Sequence, residues 1–268
     1  QKQIGTAMLA FHTFKERLPP GYLGPKDQTK KVDSSGLPLL GSMAFILPQL
    51  EQEALYNQIK VNTNYRQVTS TSNGEWFKNN PTYAAAQTKL GVMLCPSGLA
   101  ENNGKQTIVA IHTSTAVGNP PLEILALGLS SGGTPIGRSN YVGCAGRPTV
   151  ANWQGVYGDR SNTSLADIKD GSGNTILFGE SAGGWNGSIH EESHSWMGSG
   201  ALPAEWGLGS AHGSVKDPRS VLKFSSNHSG VVLFTFADNS VKSIPITVNL
   251  GVFHALSGMS DGQVVSLP

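Results

Sequence analysis

The feature that most constrains this chain is its opening segment, QKQIGTAMLAFHTFKERLPPG, because it reads as an amphipathic helix with a built-in stop. Ile4, Met8, Phe11 and Leu18, with Ala7 and Phe14 beside them, recur at spacings of three, four and seven. That is the apolar stripe of a helix that must rest on a larger core. Pro19, Pro20 and Gly21 end it. No Ser, Thr, Asp or Asn stands before the first periodic residue to cap it, so this spine helix, placed at 1–18, is expected to continue a helix begun in a longer chain. Whatever the rest folds into must supply a flat apolar face for it.

The remaining 250 residues are consistent with a sheet as that face. Val231 to Ala237 and Val241 to Ile246 are β patterns joined by a turn at Asp238, Asn239 and Ser240, which predicts an antiparallel hairpin. Ile176, Leu177 and Phe178 form a contiguous apolar run after the turn residues Asp170 to Asn174, which predicts a buried strand over Thr175 to Gly179. Ser139 to Gly143 and Gly91 to Leu94 also read as strands, and a final strand is expected at Gln263 to Ser266.

Further helices are short. Ser42 is the expected cap of a helix carrying Phe45, Ile46, Leu50, Leu55 and Ile59, with Pro48 as its kink or start. Ala84 to Ala86, Leu165 to Lys169 and Val248 to Leu256 suggest three more, with loop from Val61 to Asn80. The turn-rich section 98–138 reads as a loop insertion. These elements predict one α+β domain over 1–268, a helix packed on a C-terminal antiparallel sheet.

Composition narrows the partners. A net charge of +1 with 14% charged residues gives no long-range field for nucleic acid or anionic lipid. The 33 glycines, with abundant Ser, Thr and Asn, favour an extracytoplasmic location: periplasm, cell surface or extracellular. The given residues hold no apolar run of about 18 residues to span a membrane. Cys95 in MLCPSG and Cys144 in YVGCAG either form one disulfide, closing a loop of about 50 residues, or remain two free thiols.

Several motifs in order carry a resemblance. KQIGTAMLAFHTFKERLPPG, the ILPxLEQxxLYNQ stretch from Ile46 to Gln58, LCPS at Leu94 to Ser97 and NYVG at Asn140 to Gly143 are followed by IxDGxxNTxxxGE from Ile168 to Glu180 and NHxGxxxFxFADxSV from Asn227 to Val241. On these residues the chain resembles the pilin-like or pseudopilin-like family of planctomycetes known as domain of unknown function 1559, whose members end in an H-x9-DG motif. Asn239 stands in place of the terminal Gly, and Gly173 where the family often has Ser. The family's prepilin signal and the hydrophobic half of its first helix are not among these residues.

The resemblance implies a type IV pilin-like fold, with Ile4, Met8, Phe11 and Leu18 as the packing stripe. It implies a non-enzymatic structural or assembly subunit, pilin-like or type II secretion pseudopilin-like. Such a subunit self-associates into a homo-oligomer or filament, alone or with other pilin-like subunits, and is membrane-anchored before assembly. The alternative is a binding module for surface polysaccharide or another polymer, using loop tryptophans among Trp76, Trp153, Trp185, Trp196 and Trp206.

Four chemical constellations compete with that reading. His190, Glu191, Glu192, Ser193 and His194 fit H-E-x-x-H, which on a helix holds Zn²⁺ and a general base. The Gly- and Ser-rich flanks argue against a helix, so a zinc metalloenzyme ranks last; His212 is the nearest downstream third ligand. Asp170 to Asn174 resembles the start of a Ca²⁺ loop, though only faintly, against turn-building by Asp170 and Asn174 themselves, so no cofactor is expected, with Ca²⁺ left open at that turn and Zn²⁺ disfavoured. Glu180, closing an apolar strand, is expected to be a buried carboxylate with a basic or hydroxyl partner. His228 and Asp238 lie at opposite ends of one strand, about 33 Å if fully extended, and are expected to build local turns rather than share a site.

Overall fold

The computed structural model describes residues 1–25, 36–98, 106–115, 122–130, 136–186, 189–210, 217 and 219–265. Helices are α1 (Lys2–Lys15), α2 (Ser42–Phe45), α3 (Glu53–Tyr56), α4 (Asn80–Ala86) and α5 (Leu250–Ser257). Strands are β1 (Gln106–Thr115), β2 (Leu122–Ser130), β3 (Arg138–Ser139), β4 (Tyr141–Gly146), β5 (Ile176–Glu180), β6 (Gly184–Asn186), β7 (Ile189–Ser195), β8 (Ala201–Pro203), β9 (Gly209–Ser210), β10 (Ser225–Ser226), β11 (Val231–Phe236) and β12 (Val241–Pro245).

The architecture is α+β, with the N-terminal helix laid on a C-terminal sheet. That sheet runs β12-β11-β5-β4-β8, antiparallel except for the parallel β4–β8 pair. Alternation along its strands divides the core. Val232, Phe234 and Phe236 of β11 join Phe253 and Leu256 of α5 in one cluster. The α1 stripe of Ile4, Ala7, Met8 and Phe11 joins Tyr141, Ala145 and Leu177 in another. The sheet is thus sandwiched between α1 and α5. Each stripe residue is buried, which for a Met or Phe is worth about 1.5–3 kcal/mol.

The start of α1 is latched to the β11–β12 hairpin. Asn239 takes the left-handed conformation that the tight turn needs, φ 64°. Its side-chain amide donates to Thr6 Oγ1 at 3.0 Å, and its carbonyl accepts from Lys2 Nζ at 2.7 Å. Gly5 makes the approach possible, since a methyl there would overlap the Asn239 side chain and the Thr235 methyl. The Asn239 side chain therefore contributes a bond that a glycine in this turn would lack.

A second sheet runs β2-β1-β7-β3, with β6 on β7; β1 and β7 are parallel and the other pairs antiparallel. A two-residue parallel bridge joins β9 and β10.

Several expectations are corrected. Helix α1 ends at Lys15, before Pro19, because Glu16 turns left-handed at φ 56° and its N–H bonds to the His12 carbonyl. Leu18 is buried beyond the helix, and Phe14 is 76% exposed rather than part of the buried stripe. The expected second helix is three pieces: α2, a 3-10 turn at Pro48–Leu50 and α3. Its cap position is Gly41, not Ser42.

Trp76–Lys78 and Gly91–Met93 are 3-10 turns, where loop and strand were expected. The section 98–138 contains β1 and β2, a paired antiparallel ladder and not a loop insertion. Gln263 to Val265 are irregular; Ser266 lies outside the described residues.

Candidate functional site

Three motif residues from distant parts of the chain meet where β5 ends. Glu180 is the last residue of β5, opposite Tyr141 of β4. Its Oε2 accepts the Leu233 amide at 3.0 Å, one residue beyond the last ladder contact between β5 and β11, so the carboxylate caps the open end of that pairing. The group is almost fully buried, and Oε1 lies 3.3 Å from His228 Nε2. Glu180 thus has its basic partner.

His228 arrives on the turn between β10 and β11. Ser226 Oγ accepts the His228 amide at 3.1 Å and donates to the Val231 carbonyl at 2.6 Å, a hydroxyl-built turn that fixes the direction of the loop. The imidazole therefore does more than the local turn-building expected of it. Asp238 does build its own turn: Oδ1 accepts both the amide and the hydroxyl of Ser240.

Cys95 comes from the segment after the Gly91–Met93 turn. Asn140 Oδ1 accepts its amide at 3.0 Å, and the Gly98 amide donates to its carbonyl at 2.8 Å, closing a turn. Its Sγ lies 3.7 Å from His228 Nε2. Asn227 Nδ2 donates to the Ser97 carbonyl at 2.9 Å, tying the histidine turn to the cysteine turn. One donor atom each from Cys95, Glu180 and His228 lies within 4.8 Å of the others. A cavity of about 10 Å³, room for one water or ion, opens beside Cys95, Glu180, Asn140 and Asn227.

The arrangement is not that of a nucleophilic cysteine. In a thiol–imidazole–carboxylate relay the two ring nitrogens face different partners, whereas here Nε2 faces both sulfur and oxygen. Burial, and next the Glu180 carboxylate, also push the Cys95 thiol up in pKa against backbone donors at Ser97 and Gly98, the reverse of activation. Burial likewise raises the Tyr141 hydroxyl, with Cys95 and Glu180 adding to the effect. What remains is a sulfur, nitrogen and oxygen donor set.

The other candidates fall elsewhere. Cys95 and Cys144 are both free, so there is no disulfide. Cys144 packs among Val142, Leu202 and Phe234, whereas Cys95 packs against the cluster containing α1. Burial pushes the Cys144 thiol to about 12. His190 and His194 lie on strand β7, where four residues span about 13 Å, so they cannot chelate one ion as an H-E-x-x-H helix would. His190 stacks on Trp185 at 4.8 Å, and His212 lies outside the described residues.

Asp170 spends both oxygens on the amides of Asp261 and Gly262, at 2.8 and 2.9 Å, which ties the turn to the segment after α5 instead of presenting donors to Ca²⁺. Asn174 donates to the Asp170 carbonyl rather than capping with its own oxygen. Trp76, Trp185 and Trp196 are buried, and Trp153 and Trp206 are half-buried under Arg147 and Arg219, which removes the exposed platforms expected of a glycan binder.

Sequence reasoning named Cys95, Glu180 and His228 separately and missed their meeting. The available signal was that each is the reactive side chain of its own motif, in LCPS, GE and NH.

A family model described as "Protein of unknown function (DUF1559)" matches residues 1–251. No curated protein and no solved structure matches the chain.

Proposed function

The chain belongs to the DUF1559 family of proteins of unknown function, and from that premise we propose that it is a non-enzymatic, pilin-like assembly subunit acting outside the cytoplasm. The observation that carries the reading is that the apolar stripe of α1 is covered at its start and open at its end. One face is committed to the sheet through Ile4, Ala7, Met8 and Phe11, and its first turn is latched by Asn239. The last turn of the same stripe is left uncovered, with Phe14, three residues beyond Phe11, 76% exposed at the lip of a groove of about 540 Å³.

Ala10, Phe11 and Phe14 form one wall of that groove, and Phe45, Pro48 and Tyr56 the other. Phe14 is not a singly exposed side chain: with the groove beside it, it makes one contiguous apolar surface of the kind that marks an interaction site. In a pilin-like assembly the spine helix meets neighbouring subunits, and Phe14 with this groove is the surface offered to a second copy. The motif order supports the same relationship, from the helix stripe to the terminal H-x9-D pair. No helix among the described residues is long and apolar enough to cross a membrane.

The test is assembly of the native full-length protein, followed by electron microscopy and sedimentation. The expected result is filaments or higher oligomers that Phe14→Asp disperses without lowering the thermal midpoint of the head. Persistent monomer with the native N-terminal segment in place would remove the reading.

A further inference from the structure

We propose that Cys95, Glu180 and His228 form a binding site for one divalent transition-metal ion of the zinc class, with its fourth position open to a water molecule. This does not depend on the assembly reading.

Geometry is the first support. Zinc bonds of about 2.3 Å to sulfur and about 2.0–2.1 Å to nitrogen and oxygen, at tetrahedral angles, demand a sulfur–nitrogen edge of about 3.6 Å and a nitrogen–oxygen edge of about 3.3 Å. The observed separations are 3.7 Å from Cys95 Sγ to His228 Nε2 and 3.3 Å from that nitrogen to Glu180 Oε1. The shared Nε2 that spoils a catalytic relay is what a ligand triangle requires, since one nitrogen must look toward the point between sulfur and oxygen.

The donor set is the second support. A thiolate and a carboxylate together balance a dication, and the thiolate with imidazole selects zinc-like ions over Ca²⁺ or Mg²⁺. Outer contacts hold each ligand: the Leu233 amide on the other Glu180 oxygen, Asn140 on the Cys95 amide, and the Ser226 turn behind His228. The third support is an orphan. Asn227 Oδ1 is buried without a hydrogen-bond partner, and Asn227 lines the small cavity beside Cys95 and Glu180. A water on the fourth position of the ion would give it a donor. Binding displaces the Cys95 thiol proton to solvent and ties together the 95–98 turn, the end of β5 and the β10–β11 turn.

The experiment uses the whole chain, reduced and stripped with chelator, then titrated with Co²⁺ and competed with Zn²⁺. The expected result is one equivalent bound, with a thiolate-to-cobalt charge-transfer band that zinc abolishes. Cys95→Ser should lose the band, and His228→Gln or Glu180→Gln should weaken zinc binding more than about 100-fold. Cys144→Ser should change nothing.

Should a ligand variant fail to fold, alkylation of Cys95 in the wild-type chain decides, because bound zinc must slow it many-fold. A folded wild type that shows no band, or whose Cys95 reacts equally fast with and without zinc, overturns the site. The triad is then only a hydrogen-bonded clamp.

Discussion

In the C-terminal sheet, Val232, Phe234 and Phe236 of β11 and Ile176, Leu177 and Phe178 of β5 are buried between α1 and α5, with the buried carboxylate of Glu180 at the end of β5, whereas in the second sheet β7 ends in buried Ser193, His194 and Ser195. The first sheet is stabilised by apolar burial on both faces, which tolerates no gaps. The second places polar and titratable groups in its interior, so its stability depends on their protonation. The lesson is that one chain contains a sheet that should respond chiefly to changes in volume and a sheet that should respond to acid.

The largest break in that comparison should come from volume. Phe234 packs at 5.2 Å from Phe224 and 5.7 Å from Phe253, so Phe234→Ala should cost about 3–5 kcal/mol, read as a lowered urea midpoint at pH 7. An effect below about 1 kcal/mol would mean that this core collapses around the gap.

Acid should single out the second sheet. Burial, with a lesser push from His190 and against the Val221 backbone, lowers the His194 pKa from 6.5 to about 4. With the folded value below the unfolded one, the unfolded chain takes up the proton first. Stability is therefore unaffected above about pH 6.5 and falls as pH drops toward 4, by about 3 kcal/mol in total. Urea midpoints measured across that window should show the slope, and His194→Leu should remove it.

These regions also differ in how much the sequence revealed. The hairpin, β5 and α5 were legible because contiguous apolar residues sit between Asp, Asn and Gly turn signals, and the α1 stripe because Ile4, Met8 and Phe11 share a face. Strand β7 was not, since IHEESHS offers no apolar alternation and its spacing imitates a zinc helix. The triad escaped for another reason: Cys95, Glu180 and His228 come together only through strand order, which no local pattern encodes.

A smaller effect should sharpen the role of the latch between helix and hairpin. Gly5→Ala should destabilise by about 1–3 kcal/mol through overlap with Asn239 and Thr235. Asn239→Gly, which keeps the turn and empties the space, should relieve part of that in a double-mutant cycle. Full additivity would show that helix and turn are not in contact. Smallest of all, Phe14→Ser should shift stability by less than about 0.5 kcal/mol, because the ring is exposed, while still reducing association.

The central claim, that the open end of α1 around Phe14 is an assembly surface, is tested most directly by a photocrosslinker placed at position 14 of the native protein in its own cells. A control placed at Val68, which is also exposed, reports incidental contact. The account predicts crosslinks from position 14 to a second copy or another pilin-like subunit, and none from position 68. Equal crosslinking at both positions, or none at position 14, would contradict it.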